Sequence, residues 1–342
     1  MTIPRSTRAL LQFCPVPGQA ALDIASYQGA VARALGCGYA HDHWAACELA
    51  RTAGVSPVSH TDQLPAGSYA AVFLDARELD PALAAGFAAQ AAGVLQPGGT
   101  LYTTARREDL APWFDEIEEQ NEALVARRPL AGQAEPEVLH YSVTVGKDTL
   151  PVRSEPGVFS PRGLDPGTRE MLNLIEAQPG QRFLDLGCGV GVVSLVAARV
   201  WGCEVTAVDV SARALRLTRL NVPEAEVIPS DGFRALASRQ FDLIASNPPY
   251  HTDFAIAKGF IEGAHQHLSP GGWLYLVVKR ADWYVQKVRA VFGGCRVVER
   301  DGYTILSAQR RAARPGAAGP AGARTTKKHA KRIAASKRKG QP

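Results

Sequence analysis

Cysteine is scarce in this chain and never clustered. Six residues (Cys14, Cys37, Cys47, Cys188, Cys203 and Cys295) are scattered over 342 positions, with no Cys-x-x-Cys pair and no histidines at ligand spacing. That pattern supports neither a disulfide framework nor a zinc site, so no metal is expected. No apolar run reaches the roughly 18 residues a membrane span needs, and residues 1–12 alternate polar with apolar side chains instead of reading as a secretory signal. A soluble, cytoplasmic protein without membrane contact is expected. The dinucleotide fingerprint Gly-x-Gly-x-x-Gly is missing too: after Gly187 and Gly189 the third glycine comes one residue early, at Gly191, and position 192 is valine. That argues against NAD.

Acidic residues vanish from one region. From Arg310 onward the chain carries 11 Lys or Arg and no Asp or Glu, which leaves 27 of the 38 basic residues against 33 acids in the rest. The net +5 therefore averages an acidic body with a basic tail. From Ala312 the composition turns to Ala, Gly, Pro, Lys and Arg, which predicts a disordered extension over 310–342 that seeks nucleic-acid phosphate.

What the sequence does contain is organised around residues 182–221. An apolar strand, Phe183-Leu184-Asp185-Leu186, runs into the turn Gly187-Cys188-Gly189-Val190-Gly191, then a helical stretch to Arg199 and a second strand ending at Asp209-Val210. Glycines two apart at a strand end mark a loop whose backbone approaches a ligand closely. Asp209 follows about 20 residues later, where a carboxylate can accept both ribose hydroxyls. Asp185 opens the loop and Asp231-Gly232 closes the next strand, completing an adenosine-binding pattern, while Cys188 reads as a small residue between two glycines.

A second motif ends the fourth strand: Asn247-Pro248-Pro249-Tyr250-His251. Ligands of open α/β sheets bind beyond the carboxyl ends of the strands, so this turn faces the same crevice as the glycine loop. Two prolines fix φ and remove two donors, leaving carbonyl acceptors in a rigid turn. Such a turn suits an exocyclic amine: the Asn247 oxygen and the Pro248 carbonyl each accept one N–H, and Tyr250 stacks on the ring. No strong base is needed, because the amine loses its proton after attack. His251 reads as a contact to the substrate loop or phosphate, Lys279-Arg280 as an RNA phosphate contact or a solvated strand end, and Trp273 and Trp283 as packing residues.

The chain also repeats itself. Leu22-Asp23 matches Leu184-Asp185, Ala40-His41-Asp42 matches Ala207-Val208-Asp209, residues 69–75 match 241–247, and Leu95 to Tyr102, carrying Pro97-Gly98-Gly99, matches Leu268 to Tyr275. Two copies of one fold are expected, the first degenerate: Ala25 and Tyr27 stand where Gly187 and Gly189 should, and Asp75 replaces Asn247. A Cβ at those turns blocks backbone approach, so only the second copy should hold the ligand. The expected division is a degenerate domain over 1–128, a linker over 129–136, a catalytic domain over 137–309 and the tail. Residues 112–128 read as an amphipathic helix, residues 137–153 as a hairpin, and the second copy as a doubly wound parallel sheet closed by an antiparallel hairpin at Gly302.

This pattern resembles class I S-adenosylmethionine-dependent methyltransferases. The glycine loop, Asn247-Pro248-Pro249-Tyr250, the approach Pro156-Gly157-Val158-Phe159-Ser160 with Gly163-Leu164-Asp165 and Gly167, and the degenerate first copy together resemble the bacterial ribosomal RNA guanine-N2 methyltransferases over about residues 10–309. The resemblance implies an α/β fold of two tandem doubly wound domains and S-adenosyl-L-methionine as cofactor. It implies cofactor contacts at Asp185, Gly187, Cys188, Gly189, Gly191, Asp209, Val210, Asp231, Gly232 and Asn247, and chemistry at Asn247, Pro248, Pro249 and Tyr250. It further implies a monomer acting on ribosomal RNA or a ribosomal subunit, with the first domain gripping RNA. Guanine N2 is preferred over adenine N6 or a protein glutamine because Asp253 offers an acceptor for guanine N1–H. Phe is common in that family where Tyr250 stands, and Thr252-Asp253-Phe254 replaces a glycine-containing loop, so the base stays open. So does a cofactor-binding ribosome-assembly factor without turnover.

Overall fold

The structure, a computed structural model, describes residues 3–13, 19–129, 137–248 and 254–311. The expected linker beyond Pro129, residues 249–253 with Pro249 and Tyr250, and the basic tail beyond Arg311 lie outside the described residues. In chain order the first half comprises α1 (Arg5–Leu10), β1 (Ala21–Ile24), α2 (Ala30–Leu35), β2 (Gly38–His41), α3 (Trp44–Thr52), β3 (Val58–His60), β4 (Tyr69–Leu74), α4 (Pro81–Val94), β5 (Leu95–Thr103), α5 (Arg107–Leu110), β6 (Phe114–Gln120) and β7 (Ala123–Pro129). Its sheet runs β3-β2-β1-β4-β5-β7-β6, parallel until β7 turns antiparallel against β5.

A two-stranded hairpin follows, β8 (Leu139–Val145) with β9 (Asp148–Ser154), as the alternation over 137–153 predicts. The second half then comprises α6 (Pro166–Leu172), β10 (Arg182–Leu186), α7 (Val192–Arg199), β11 (Glu204–Asp209), α8 (Ala212–Asn221), β12 (Glu226–Pro229), β13 (Phe241–Ser246), α9 (Phe254–His267), β14 (Leu268–Val278), α10 (Ala281–Phe292), β15 (Arg296–Arg300) and β16 (Tyr303–Gln309). Its strand order, β12-β11-β10-β13-β14-β16-β15, is that of the first sheet. The chain is thus an α/β protein of two tandem seven-stranded sheets of one topology.

The central strand β10 is buried on both faces, which is why it reads as an unbroken apolar run instead of an alternating one. One face packs on Leu195 and Val196 of α7 and on Val143 and Val152 of the hairpin; the other packs on Ile261 of α9 and Val288 of α10. The repeated Pro-Gly-Gly has a packing cause. A Cβ on Gly99 would stand 2.9 Å from the Gln96 and Tyr69 carbonyl oxygens, and one on Gly272 would stand 2.8 Å from that of Asp242, so only glycine lets the chain enter the fifth strand there.

One expectation fails. Residues 112–128 form the β6–β7 hairpin, not a helix. Asn121 and Glu122 both take positive φ, 49° and 68°, a two-residue turn that matches the twist of paired strands. The glutamates favour helix locally, but β7 gains a place beside β5 and buries Val125 and Ala126, and that tertiary gain overrides propensity. Among the described residues no helix is long and apolar enough to cross a membrane.

Candidate active site

Strand β10 pairs with β11 on one side and β13 on the other, so the chain reverses its winding there and opens a crevice at the strand ends. A cleft of about 780 Å³ occupies it, lined by the glycine loop, Asp209 to Ser211, Asp231-Gly232, Asn247-Pro248, the approach segment from Gly157 to Asp165, Thr168 and Lys279. That volume is of the size used for small ligands.

The loop glycines are required for two different reasons. Gly187 and Gly189 have φ of 79° and 56°, and no described atom lies within 4 Å of where their Cβ would stand; their backbone conformation and the adjoining cleft make the demand. Gly191, with φ 82°, caps α7, and a Cβ there would meet Thr218 Cγ2 and Oγ1 at 3.0 Å. It serves close packing of α7 on α8. The loop is tied by the Gly187 and Cys188 N–H groups to the Val208 carbonyl and by the Thr218 hydroxyl to the Gly189 carbonyl.

The acidic residues differ in placement. Asp185 is buried, and its Oδ2 accepts the Ser194 N–H at 2.9 Å and hydroxyl at 2.6 Å, which binds the loop to α7. Burial lifts its carboxyl to about 6, against the pull of those Ser194 bonds. Asp209 accepts Gly189 N–H at 3.0 Å through Oδ2 and Ser211 N–H at 2.9 Å through Oδ1; burial raises its pKa as well. Asp231 and Gly232 (φ 60°) line the cleft further along, and the Ser230 hydroxyl fixes their turn by donating to the Gly232 carbonyl. Cys188 is buried, accepts from Thr218, and burial pushes its thiol pKa well up.

Asn247 is held by α6. Its Nδ2 donates to Thr168 Oγ1 at 2.9 Å and to Asp165 Oδ2 at 3.2 Å. Asp165 is the N-cap of α6, accepting the Thr168 N–H at 2.8 Å, and Tyr303 donates to its other oxygen at 3.3 Å. Gly167 lets the helix sit this close: a Cβ would stand 2.4 Å from the Tyr303 ring. Lys279 lies over that ring at 5.2 Å from its centroid. These bonds fix the nitrogen end of the Asn247 amide against α6.

Comparison with known proteins agrees with this geometry. Residues 149–307 match the family profile of the methyltransferase small domain. The second half is thus similar to the methyltransferase small domain over most of its length. The chain is 38% identical over 180 residues to the ribosomal RNA small subunit methyltransferase C of Pseudomonas aeruginosa strain UCBPP-PA14, covering 50% of this chain and 54% of that protein. It is 35% identical over 196 residues to the protein of that name from Stutzerimonas stutzeri, covering 54% and 59%. The chain spans about half the length of the curated relatives it matches. Among solved structures, a T. thermophilus 16S rRNA N2 G1207 methyltransferase in complex with AdoMet and guanosine superposes with TM-score 0.77 at 22% identity, covering 90% of this chain and 92% of that one. The tandem fold is therefore shared across nearly the whole chain.

The structure brings Asp185, Gly187, Cys188, Gly189, Asp209, Val210, Asp231, Gly232, Asn247 and Pro248 to the cleft of the second half, and sets Gly191 behind it. Sequence reading missed the grip of Asp165 and Thr168 on Asn247. Its one local signal is the capping spacing Asp165-Pro166-Gly167-Thr168 ahead of a helix.

Proposed function

We propose that this chain is a cytoplasmic methyltransferase that transfers a methyl group from S-adenosylmethionine to N2 of a guanine in small-subunit ribosomal RNA. The observation that carries the reading is the Asn247 amide, pinned through its nitrogen by Thr168 and Asp165 at the edge of the glycine-loop cleft. The residues present suit the cofactor: two left-handed glycines allow close backbone approach, and Asp209 and Asp231 line the cleft, where Asp209 would accept the ribose hydroxyls and Asp231 an N–H of the adenine. When bound, the cofactor supplies an electrophilic sulfonium methyl.

The chain's own part is positioning. The Asn247 oxygen and the Pro248 carbonyl accept the two N–H bonds of the exocyclic amine and aim its lone pair across the cleft. The sulfur–methyl bond would break as the N–CH3 bond forms, leaving S-adenosylhomocysteine, and one N–H proton would then pass to water, so no side chain of high basicity is required. The T. thermophilus protein of the same tandem fold was seen with AdoMet and guanosine, which favours guanine over adenine here. In this reading the domains divide at 1–128 and 137–309, the first half and the basic tail from Arg310 grip RNA phosphate, and the protein works as a monomer. The test is to digest ribosomal RNA or subunits methylated in vitro and chromatograph the nucleosides. A labelled N2-methylguanosine peak is expected; label confined to N6-methyladenosine or protein refutes the reading.

A further inference from the structure

His43 belongs to the first half, yet it lines the cleft of the second. It follows β2, next to Asp42, the aspartate whose counterpart is Asp209. The loop carrying it meets the loop after β11 antiparallel. The Trp44 N–H donates to the Val210 carbonyl at 2.7 Å, the Ala212 N–H donates to the Asp42 carbonyl at 2.8 Å, and His43 is paired with Ser211. His60 Nε2, 2.9 Å from the same Val210 oxygen, adds a second clamp. Asp42 itself is buried and accepts the Arg213 N–H at 2.8 Å in the first turn of α8.

Residues opposite each other in an antiparallel pair project to one face, so His43 and Ser211 turn the same way, and Ser211 also lines the cleft. The charged groups acting on the His43 ring are Asp231, Asp42 and Asp209, with His60 beside them. Asp231 and Asp209 are the two carboxylates assigned above to the adenine and ribose. Desolvation by the surrounding loops outweighs them and shifts the imidazole, still open to the cleft, below its ordinary pKa. Its place is fixed from below by the His43 N–H donating to His41 Nδ1 at 2.9 Å.

We infer that His43 is a cofactor-contacting residue: the degenerate half supplies the wall over the nucleoside end of the S-adenosylmethionine site, with the imidazole packed on the adenosine. The inference rests on the cofactor reading above. It alters the expectation that the second half alone makes the site, because the pocket is complete only with the β2–α3 loop of the first half in place.

Calorimetry with S-adenosylhomocysteine on the full-length protein tests it. His43→Ala should weaken binding about three- to tenfold, the scale of one aromatic packing contact. His43→Phe, which keeps a ring, should restore most of it, and the melting temperature of the ligand-free protein should not move. If the wild-type protein binds no S-adenosylhomocysteine, the cofactor reading itself fails and takes the inference with it. If the wild type binds and His43→Ala binds equally well, the reading stands and the role of His43 is overturned. A loss that Phe does not restore, or one that comes with a lowered melting temperature, also overturns it, since His43 would then be a support of the loop and not a contact.

Discussion

Thr168 holds the amide of Asn247 by a 2.9 Å hydrogen bond to its hydroxyl oxygen, and the first half keeps the same arrangement with the polarity reversed. There Thr7 donates to the carboxylate of Asp75, the counterpart of Asn247. Thr7 and Thr168 each lie 14 residues ahead of the first strand of their sheet, Ala21 and Arg182 respectively. Asp75 also accepts from Ser6 and Thr104, and Thr7 accepts the N–H of Tyr27 from the altered glycine loop. In the first half these acceptors are spent on the protein itself; in the second, the residue at the matching position is an amide that donates, held through its nitrogen beside the cleft.

Thr168→Val removes that acceptor while keeping the shape of the side chain. The amide of Asn247 loses its fixed orientation, so turnover should drop about tenfold to a hundredfold, with S-adenosylhomocysteine affinity changed less than about twofold. Asn247→Ala, which removes the group itself, should cost more. Single-turnover rates and calorimetry on the same preparations separate the two quantities, and a Thr168→Val enzyme with wild-type turnover would dismiss the positioning role.

Gly189→Arg should abolish cofactor binding. A side chain at φ 56° is strained, and it projects where the loop borders the cleft. Titration of the wild type should give one site per chain, because Ala25 and Tyr27 replace the matching glycines of the first half. Two sites, or one surviving in Gly189→Arg, would contradict the assignment.

The parts of this molecule that were legible in the sequence are those encoded by neighbours along the chain. Strand β10, the glycine turn after it and the helix behind it need only a buried apolar run and local backbone freedom. The hidden parts depend on partners far away in sequence. Thr168 and Asp165 grip Asn247 across 79 and 82 residues, and β7 is a strand only because β5 stands beside it. His43 is a single residue of no marked pattern until its loop meets Val210 and Ser211.

Arg216 of α8 joins the halves and should be sensitive to truncation. Its guanidinium donates to Glu155 at 2.9 and 2.7 Å and to Asp62, from the loop after β3, at 2.5 and 3.2 Å. Both carboxylates are almost wholly buried, so removing the cation strands Glu155 and leaves Asp62 only Arg213, 3.5 Å away. Arg216→Ala should cost about 3 kcal/mol in urea unfolding, whereas Arg216→Ala with Asp62→Asn and Glu155→Gln should cost distinctly less. An equal loss in both would mean that packing of the arginine stem, and not unpaired charge, sets the cost.

Asp23 gives a pH signature for the first half. Buried at the end of β1, it accepts from the Ser26 hydroxyl at 2.5 Å and the Ala32 N–H at 2.8 Å, the counterparts of the bonds Asp185 makes to Ser194. Burial outweighs these bonds and lifts its pKa from 3.8 to about 7. The unfolded chain releases this proton near pH 4, while the folded chain keeps it to about pH 7, so between them the folded state binds more protons. The stability Asp23 contributes is therefore complete below about pH 4 and is lost as pH rises through 7. His41 acts in the opposite sense: burial depresses it to about 3, so its contribution is present above pH 6.5 and lost in acid. Comparing wild type with Asp23→Asn cancels His41 and every other common group. Urea unfolding from pH 4 to pH 8 should show the wild type losing roughly 2–4 kcal/mol relative to the variant. Parallel profiles would establish that Asp23 is ionised in the folded protein throughout this range, with its hydrogen-bond donors outweighing burial.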